Sequence, residues 1–299
     1  MYQAGLHRFA ILVAACTLFL VVAGASVVSK EAGLSVPDWP LSYGRIMPEM
    51  TGGVFFEHGH RMVATAVGFL TIVLAVWLQR ADPRAWMKKL GWAALGAVVA
   101  QGMLGGLTVL FLLPKPVSIT HACLAQLFFS TTVALAVFTS RGWLEAPVMV
   151  EDSGRPSLRT LAVISAVAVF LQVTVGAAFR HKALNLAPHL IGAFLAAGLV
   201  LYTAMAVFTQ FGRHRALQVR AHAAIWVTLT QVVLGAVAFM SRVATKDEVT
   251  PATYMVVLTV AHVATGALTL ASSIMLAMAV FRNVRPENAV AAVAHGGAR

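Results

Sequence analysis

Four histidines, His60, His121, His189 and His262, each lie in or at the edge of a long apolar segment. An ionisable side chain at membrane depth is costly, so each is a candidate functional residue by default. They fall two to each half of a chain that repeats itself, a pattern expected of two metal or haem-iron sites. A single histidine at a helix end is more often an interfacial hydrogen-bonding residue. Four in equivalent places are better explained as ligands. Neutral imidazole is a common iron ligand. Zinc and di-iron centres need carboxylate or thiolate sets that do not accompany these residues. Two imidazoles from facing helices suit haem iron best.

The densest polar cluster is Glu57-His58-Gly59-His60-Arg61. Glu57 and His60 are three apart and share a helix face, whereas His58 turns away from His60. An apolar helix continues from His60, which makes it the core-facing residue of the two. Arg61 is placed where a guanidinium could bind carboxylates such as haem propionates in bidentate fashion. Glu57, beside a metallocofactor, is the candidate base or proton acceptor. Elsewhere, His181 sits between Arg180 and Lys182 in a short loop, and His7, His214, His222 and His295 lack partners in the pattern. Gln101 and Gln231 read as hydrogen-bonding residues between helices.

These residues must be positioned by membrane helices. The chain of 299 residues is 59% hydrophobic and 11% charged, where soluble domains carry about a quarter charged residues. Apolar runs long enough for a bilayer core recur eight times, at about 8–28, 54–78, 90–113, 117–139, 159–179, 186–210, 221–241 and 252–281. A net charge of +11 could suggest nucleic acid, but its placement argues against that partner. Fourteen of the 22 basic residues fall on the side shared by the termini and the even-numbered loops. By the positive-inside rule both termini are expected in the cytoplasm of a bacterial cell, with the basic residues near lipid head groups. All four histidines then lie toward the outer face. Cys16 and Cys123 are both within apolar runs and read as small buried hydrophobes.

The repeat is visible in paired motifs. Gly24-Ala25 and Leu34 match Gly176-Ala177 and Leu186 at the same spacing, and Gln101-x-x-Leu104-Gly105 matches Gln231-x-x-Leu234-Gly235. His60 then corresponds to His189, and His121 to His262. Each half has an even number of spans, so both enter the membrane in the same sense, as a parallel repeat. The expectation is an all-α membrane protein of two four-helix bundles, 1–140 and 159–282. A linker over 141–158 joins them, and a disordered tail follows over 283–299.

These motifs resemble the haem A synthase family. The resemblance rests on Gly33-Leu34-Ser35-x-Pro37-Asp38-Trp39-Pro40, Glu57-His58-Gly59-His60-Arg61, Gln101-Gly102-x-Leu104-Gly105-Gly106-Leu107-Thr108-Val109 and His121-Ala122-x-Leu124-Ala125-Gln126-Leu127. In the second half it rests on His189, Gln231-x-x-Leu234-Gly235 and His262, and it covers about residues 8–281. It implies oxidation of a methyl group of haem O to the formyl group of haem A, for terminal oxidases. It also implies a substrate haem between His60 and His121, haem b on His189 and His262, and a catalytic role for Glu57. A haem O synthase and oxidase assembly factors are the implied partners. Many bacterial members carry a cysteine pair in the first external loop. Here Ser42 stands where one such cysteine is expected, which places the chain in a cysteine-free subgroup. The rival readings are a di-haem b-type electron-transfer protein and a haem-handling transporter or scaffold.

Overall fold

The computed structural model describes residues 2–286. In the first half stand α1 (Ala4–Ser29), α2 (Gly52–Ala81), α3 (Ala85–Leu110) and α4 (Lys115–Phe138). A one-turn helix α5 (Arg141–Leu144) and a short strand β1 (Val150–Asp152) lead to α6 (Leu158–Arg180), α7 (Leu186–Gln210), α8 (Arg215–Ala244) and α9 (Thr253–Asn283), followed by β2 (Val284–Pro286). Eight of these helices, 23 to 31 residues each, are long and apolar enough to cross a membrane. The protein is an all-α, multi-pass membrane protein.

The apolar runs locate all eight helices, match α7 end to end, and underestimate the length of the others. α3 begins at Ala85 and α8 at Arg215, where the runs begin near 90 and 221. Backbone polar groups inside lipid must be satisfied within the helix, so a spanning helix continues past its apolar stretch into the polar zone. Lys88, Lys89, Gln218 and Arg220 are good helix formers and carry it there.

Each half closes into a ring. α1 packs on α2 and α4, and α3 packs on the same two; α6 packs on α7 and α9, and α8 on the same two. The halves meet through α1 with α9, α4 with α9, and α4 with α6. Since α1 corresponds to α6 and α4 to α9, exchanging the halves maps this interface onto itself. That is the behaviour of a two-fold repeat about the membrane normal. Each ring has its own core, Leu74, Leu78 and Met87 in the first and Leu158, Leu217 and Leu270 in the second. Small residues such as Ala10, Ala94, Ala204 and Ala221 bring the backbones together, which is how helices associate where burial from water supplies no driving force. Bulky side chains such as Phe69, Phe194 and Trp226 point outward, 65%, 78% and 66% exposed, as lipid-facing residues do.

The linker is ordered. β1 pairs in parallel with β2, Val150 opposite Val284 and Asp152 opposite Pro286. Asp152 Oδ2 accepts from the Leu158 amide at 2.6 Å and so satisfies an otherwise free donor at the start of α6. Of the expected tail 283–299, Asn283 closes α9 and 284–286 form β2; residues 287–299 lie outside the described residues.

Candidate haem-binding histidine pairs

His60, His121, His189 and His262 stand in the first three turns of α2, α4, α7 and α9. These four helices all start on the face that carries the 30–51 segment. At 1.5 Å per residue the histidines lie within about 14 Å of the helix starts. Each ring rests against a glycine of the preceding long helix. A Cβ built on Gly24 would stand 2.9 Å from His60 Cε1, on Gly105 3.3 Å from His121, on Gly176 2.9 Å from His189, and on Gly235 2.9 Å from His262. The three at 2.9 Å are closer than real Cβ atoms come, and the one at Gly105 is tight. The glycines therefore exist to let an imidazole lie flush on a neighbouring backbone.

A glutamine stands four residues before three of these glycines: Gln101, Gln172 and Gln231. Gln101 Nε2 donates to the His121 carbonyl at 2.8 Å. Gln172 Nε2 donates to the His189 carbonyl at 2.8 Å and lies 2.9 Å from His189 Nδ1. Gln231 Nε2 approaches His262 Nε2 at 3.5 Å. Gln101 and Gln231 were legible as helix-to-helix hydrogen bonders, but Gln172 was missed. The signal that could have found it is the Gln-x-x-x-Gly spacing shared by α3, α6 and α8.

The His189 and His262 rings are 6.3 Å apart between centroids, with planes at 90°. With metal–nitrogen bonds of about 2.0–2.1 Å and a ring radius of about 1.2 Å, two imidazoles on opposite sides of one metal are separated by roughly 6.5 Å. The observed spacing fits. The Nδ1 atoms of His60, His121 and His262 are buried without a hydrogen-bond partner among the described residues, and buried polar atoms are rarely left so. Among the described residues no group of three or more His, Cys, Asp or Glu converges. What the fold offers is paired imidazoles, the donor set of a six-coordinate haem iron. Phe179 stacks on His189 at 6.0 Å and 9°, and the Arg242 guanidinium lies 5.9 Å above Phe179.

The first pair is roofed by the 30–51 segment. Ser42 and Arg45 exchange both backbone hydrogen bonds at 3.0 Å around Tyr43 and Gly44, whose φ values are +53° and +69°. Two left-handed central residues make this a tight primed turn. Asp38 accepts from the Tyr43 amide at 2.7 Å and the Gly44 amide at 2.8 Å. The Gly44 amide, opposed by desolvation and helped less by Tyr43 and Arg61, holds the Asp38 carboxyl below the usual range. Trp39 fills the notch at Gly106, where a Cβ would stand 2.6 Å from the indole.

Arg61 ties this roof to α2. Its Nη1 donates to the Asp38 and Leu41 carbonyls, each at 2.8 Å, and its Nη2 to Glu57 Oε1 at 2.6 Å. Glu57 is 4% exposed, and its Oε2 accepts from the Val36 amide at 2.9 Å. Glu57 and Arg61 thus form a partly buried ion pair under the roof. The Arg61 guanidinium is engaged with the loop and with Glu57. His58, turned from His60 as its spacing requires, bonds Ser42 Oγ at 2.8 Å, and Ser42 is fully buried.

The remaining histidines have local duties. His7 bonds Thr139 Oγ1 at 3.2 Å. His214 caps α8 and lies 2.8 Å from the Val148 carbonyl. His222 Nδ1 lies 2.8 Å from the Gln218 carbonyl. His181 ends α6, where burial and then the neighbouring Arg180 lower its pKa. His295 lies outside the described residues.

Fold and site together define a duplicated four-helix membrane protein with one histidine pair in each half, all four histidines toward one face. The chain belongs to the COX15-CtaA family, described as cytochrome oxidase assembly protein, whose model matches residues 49–292. Among curated relatives, a haem A synthase of Symbiobacterium thermophilum is 32% identical over 178 residues, covering 58% of each chain. A haem A synthase of Methylobacterium is 30% identical, over 44% of this chain and 40% of its own. One of Geobacillus kaustophilus is 24% identical, over 62% of this chain and 59% of its own. The chain thus spans about half the length of the curated relatives it matches.

Proposed function

We propose that the protein is a haem A synthase, which oxidises a methyl group of haem O to the formyl group of haem A for a terminal oxidase. The observation that carries this is the repeated imidazole pair, with His189 and His262 spaced 6.3 Å apart in a family whose curated relatives bear that name. His60 and His121 would hold the substrate haem, and His189 and His262 a haem b. Haem b, when bound, supplies one-electron redox chemistry beside the substrate. The basic residues support termini in the cytoplasm of a bacterial cell and histidine pairs toward the outer face.

The chain's own residues divide the work. Taking the new oxygen from water, methyl to formyl releases four electrons and four protons, so a proton acceptor beside His60 is needed. Glu57 is three residues from His60 and ion-paired with Arg61. Each carboxylate oxygen keeps a second lone pair beyond its bond to Arg61 or Val36. It can accept a proton, or offset developing positive charge, without leaving its place. The roof over 30–51 limits water at the first pair, which protects a reactive centre from side reactions. The second half has only the short turn between Arg180 and Leu186 at the corresponding place.

The test is to purify the protein from a host that makes haem O, extract the haems, and identify them by chromatography and mass. Haem A together with haem B is expected. Glu57→Gln should keep haem B and lose most haem A; wild-type haem A in that variant removes Glu57 from the chemistry. Haem B alone in the wild type, with haem O available, would support a di-haem electron carrier instead.

A further inference from the structure

The two halves differ at one equivalent position in a way that bears on haem retention. Gln172 and Leu20 each stand four residues before the glycine that receives the first histidine of their half, Gly176 for His189 and Gly24 for His60. Gln172 binds the His189 carbonyl at 2.8 Å and lies 2.9 Å from ring Nδ1. Its amide is wedged where a Cβ on Gly192 would collide with it, one turn beyond His189 on α7. Leu20 is buried in the apolar core of the first half and has no polar atom to offer. His60 Nδ1 is accordingly buried and unpartnered among the described residues. The second histidines repeat the contrast more weakly. Gln231 reaches a ring nitrogen of His262 at 3.5 Å, whereas Gln101 bonds only the backbone carbonyl of His121.

We propose that Gln172, set against Leu20, decides which haem stays and which leaves. A ring that held a metal through Nε2 would carry its proton on Nδ1 and need an acceptor there. The amide supplies it by turning its Oε1, buried without a partner among the described residues, to the ring in place of Nε2 and giving up the bond to the His189 carbonyl. A ligand imidazole held this way keeps its orientation and tautomer, and loss of such a partner typically costs about 10–100-fold in metal affinity. His189 is therefore the anchored ligand of a resident haem. His60, which has no such side-chain partner among the described residues, is the ligand of an exchangeable one, which suits a site that must admit substrate and release product. This rests on the reading that each histidine pair holds a haem. Gln172 is a positioning residue and touches no reacting atom.

The experiment is haem release from detergent-purified full-length protein to an excess of a haem-scavenging apoprotein, followed by Soret absorbance. Two phases are expected, the fast one abolished in His60→Ala and the slow one in His189→Ala. Gln172→Leu should accelerate the slow phase by about 10–100-fold and leave the fast phase unchanged. The reciprocal Leu20→Gln should slow the fast phase. Should that variant fold poorly because Leu20 is in the core, Gln172→Met provides a second test on the slow phase. An unchanged slow phase in Gln172→Leu and Gln172→Met overturns the proposal. So does equal acceleration of both phases, which would mean general loosening. Whether haem O is converted is read separately from the extracted pigments, so a protein that binds two haems but makes no haem A still tests this assignment. A protein that binds no haem overturns both.

Discussion

Each of the four histidines has a specific backbone neighbour, a glycine, and at Gly24, Gly176 and Gly235 the ring lies closer than a Cβ would allow. Gly176 is the sharpest case, with His189 Cε1 2.9 Å and Nδ1 3.2 Å from where a Cβ would stand. Gly176→Ala must push the ring or separate α6 from α7, and overpacking of this kind costs about 1–3 kcal/mol. The expected outcome is a folded protein that has lost most haem from the second pair, measured as haem per protein by pyridine haemochrome. Gly198→Ala, with nothing within 4 Å of the added carbon, should leave both haem content and thermal midpoint unchanged. Equal haem in Gly176→Ala and wild type would sink the idea that these contacts fix the rings. At this scale the sequence showed the histidines and their equivalence but not what holds them. An imidazole in an apolar run is conspicuous, whereas a glycine in a membrane helix serves packing, lipid exposure or ring contact alike. Gly68, Gly96, Gly102 and Gly198 meet nothing, while Gly105, Gly106 and Gly192 meet a side chain, and only the tertiary approach separates the two groups.

The helices themselves were nearly all visible as apolar runs, because a bilayer requires length and composition together. The 30–51 segment was not. Its shape comes from a few long-range bonds, Arg61 to the Asp38 and Leu41 carbonyls and Glu57 to the Val36 amide, and no periodicity announces them. The spacing of Glu57 and His60 suggested a shared catalytic face, and the structure adds that Glu57 also braces the roof. Asp38 gives this element a pH dependence whose sign follows from its lowered pKa. The folded carboxyl binds a proton less readily than the unfolded one, so its contribution is fully present above the ordinary carboxylate range and is lost as pH falls through the lowered value. Hydrogen exchange at the Tyr43 and Gly44 amides should therefore be slow, relative to intrinsic rates, near neutrality and lose protection only in acid below about pH 4. Asp38→Asn should remove that acid transition. If protection is flat with pH in the wild type, the turn is held by something other than Asp38.

Across the whole molecule, duplication explains why two independent cores coexist with a thin seam between them. The seam is built from Val21, Phe129, Ala267 and Ala271, with Ala25, Val256 and Val260 nearer the histidine face. It was legible in outline, since matched motifs implied a parallel repeat, but sequence could not say which helices would meet. α1, α4, α6 and α9 do so because exchanging the halves must map their contact onto itself. One polar pin of this seam breaks the symmetry. Arg180, the last residue of α6, reaches α1 and donates to the Ala25 carbonyl at 2.6 Å and Ser29 Oγ at 2.8 Å. Ala25 follows Gly24, the residue against which His60 rests, so the pin joins the end of one half's first helix to the other half's histidine support. Hydrogen bonds to charged groups contribute about 1.5–3 kcal/mol. Arg180→Ala should destabilise the protein in detergent by that order, read as a lower thermal midpoint. Both bonds come from the one Nη2, so Arg180→Lys should recover part of the loss, limited by the shorter reach of its ammonium. Haem release from the first pair should quicken in Arg180→Ala, since the α1 end that carries Gly24 is no longer tied. A variant with wild-type stability and wild-type release would mean that this pin does not hold the halves together.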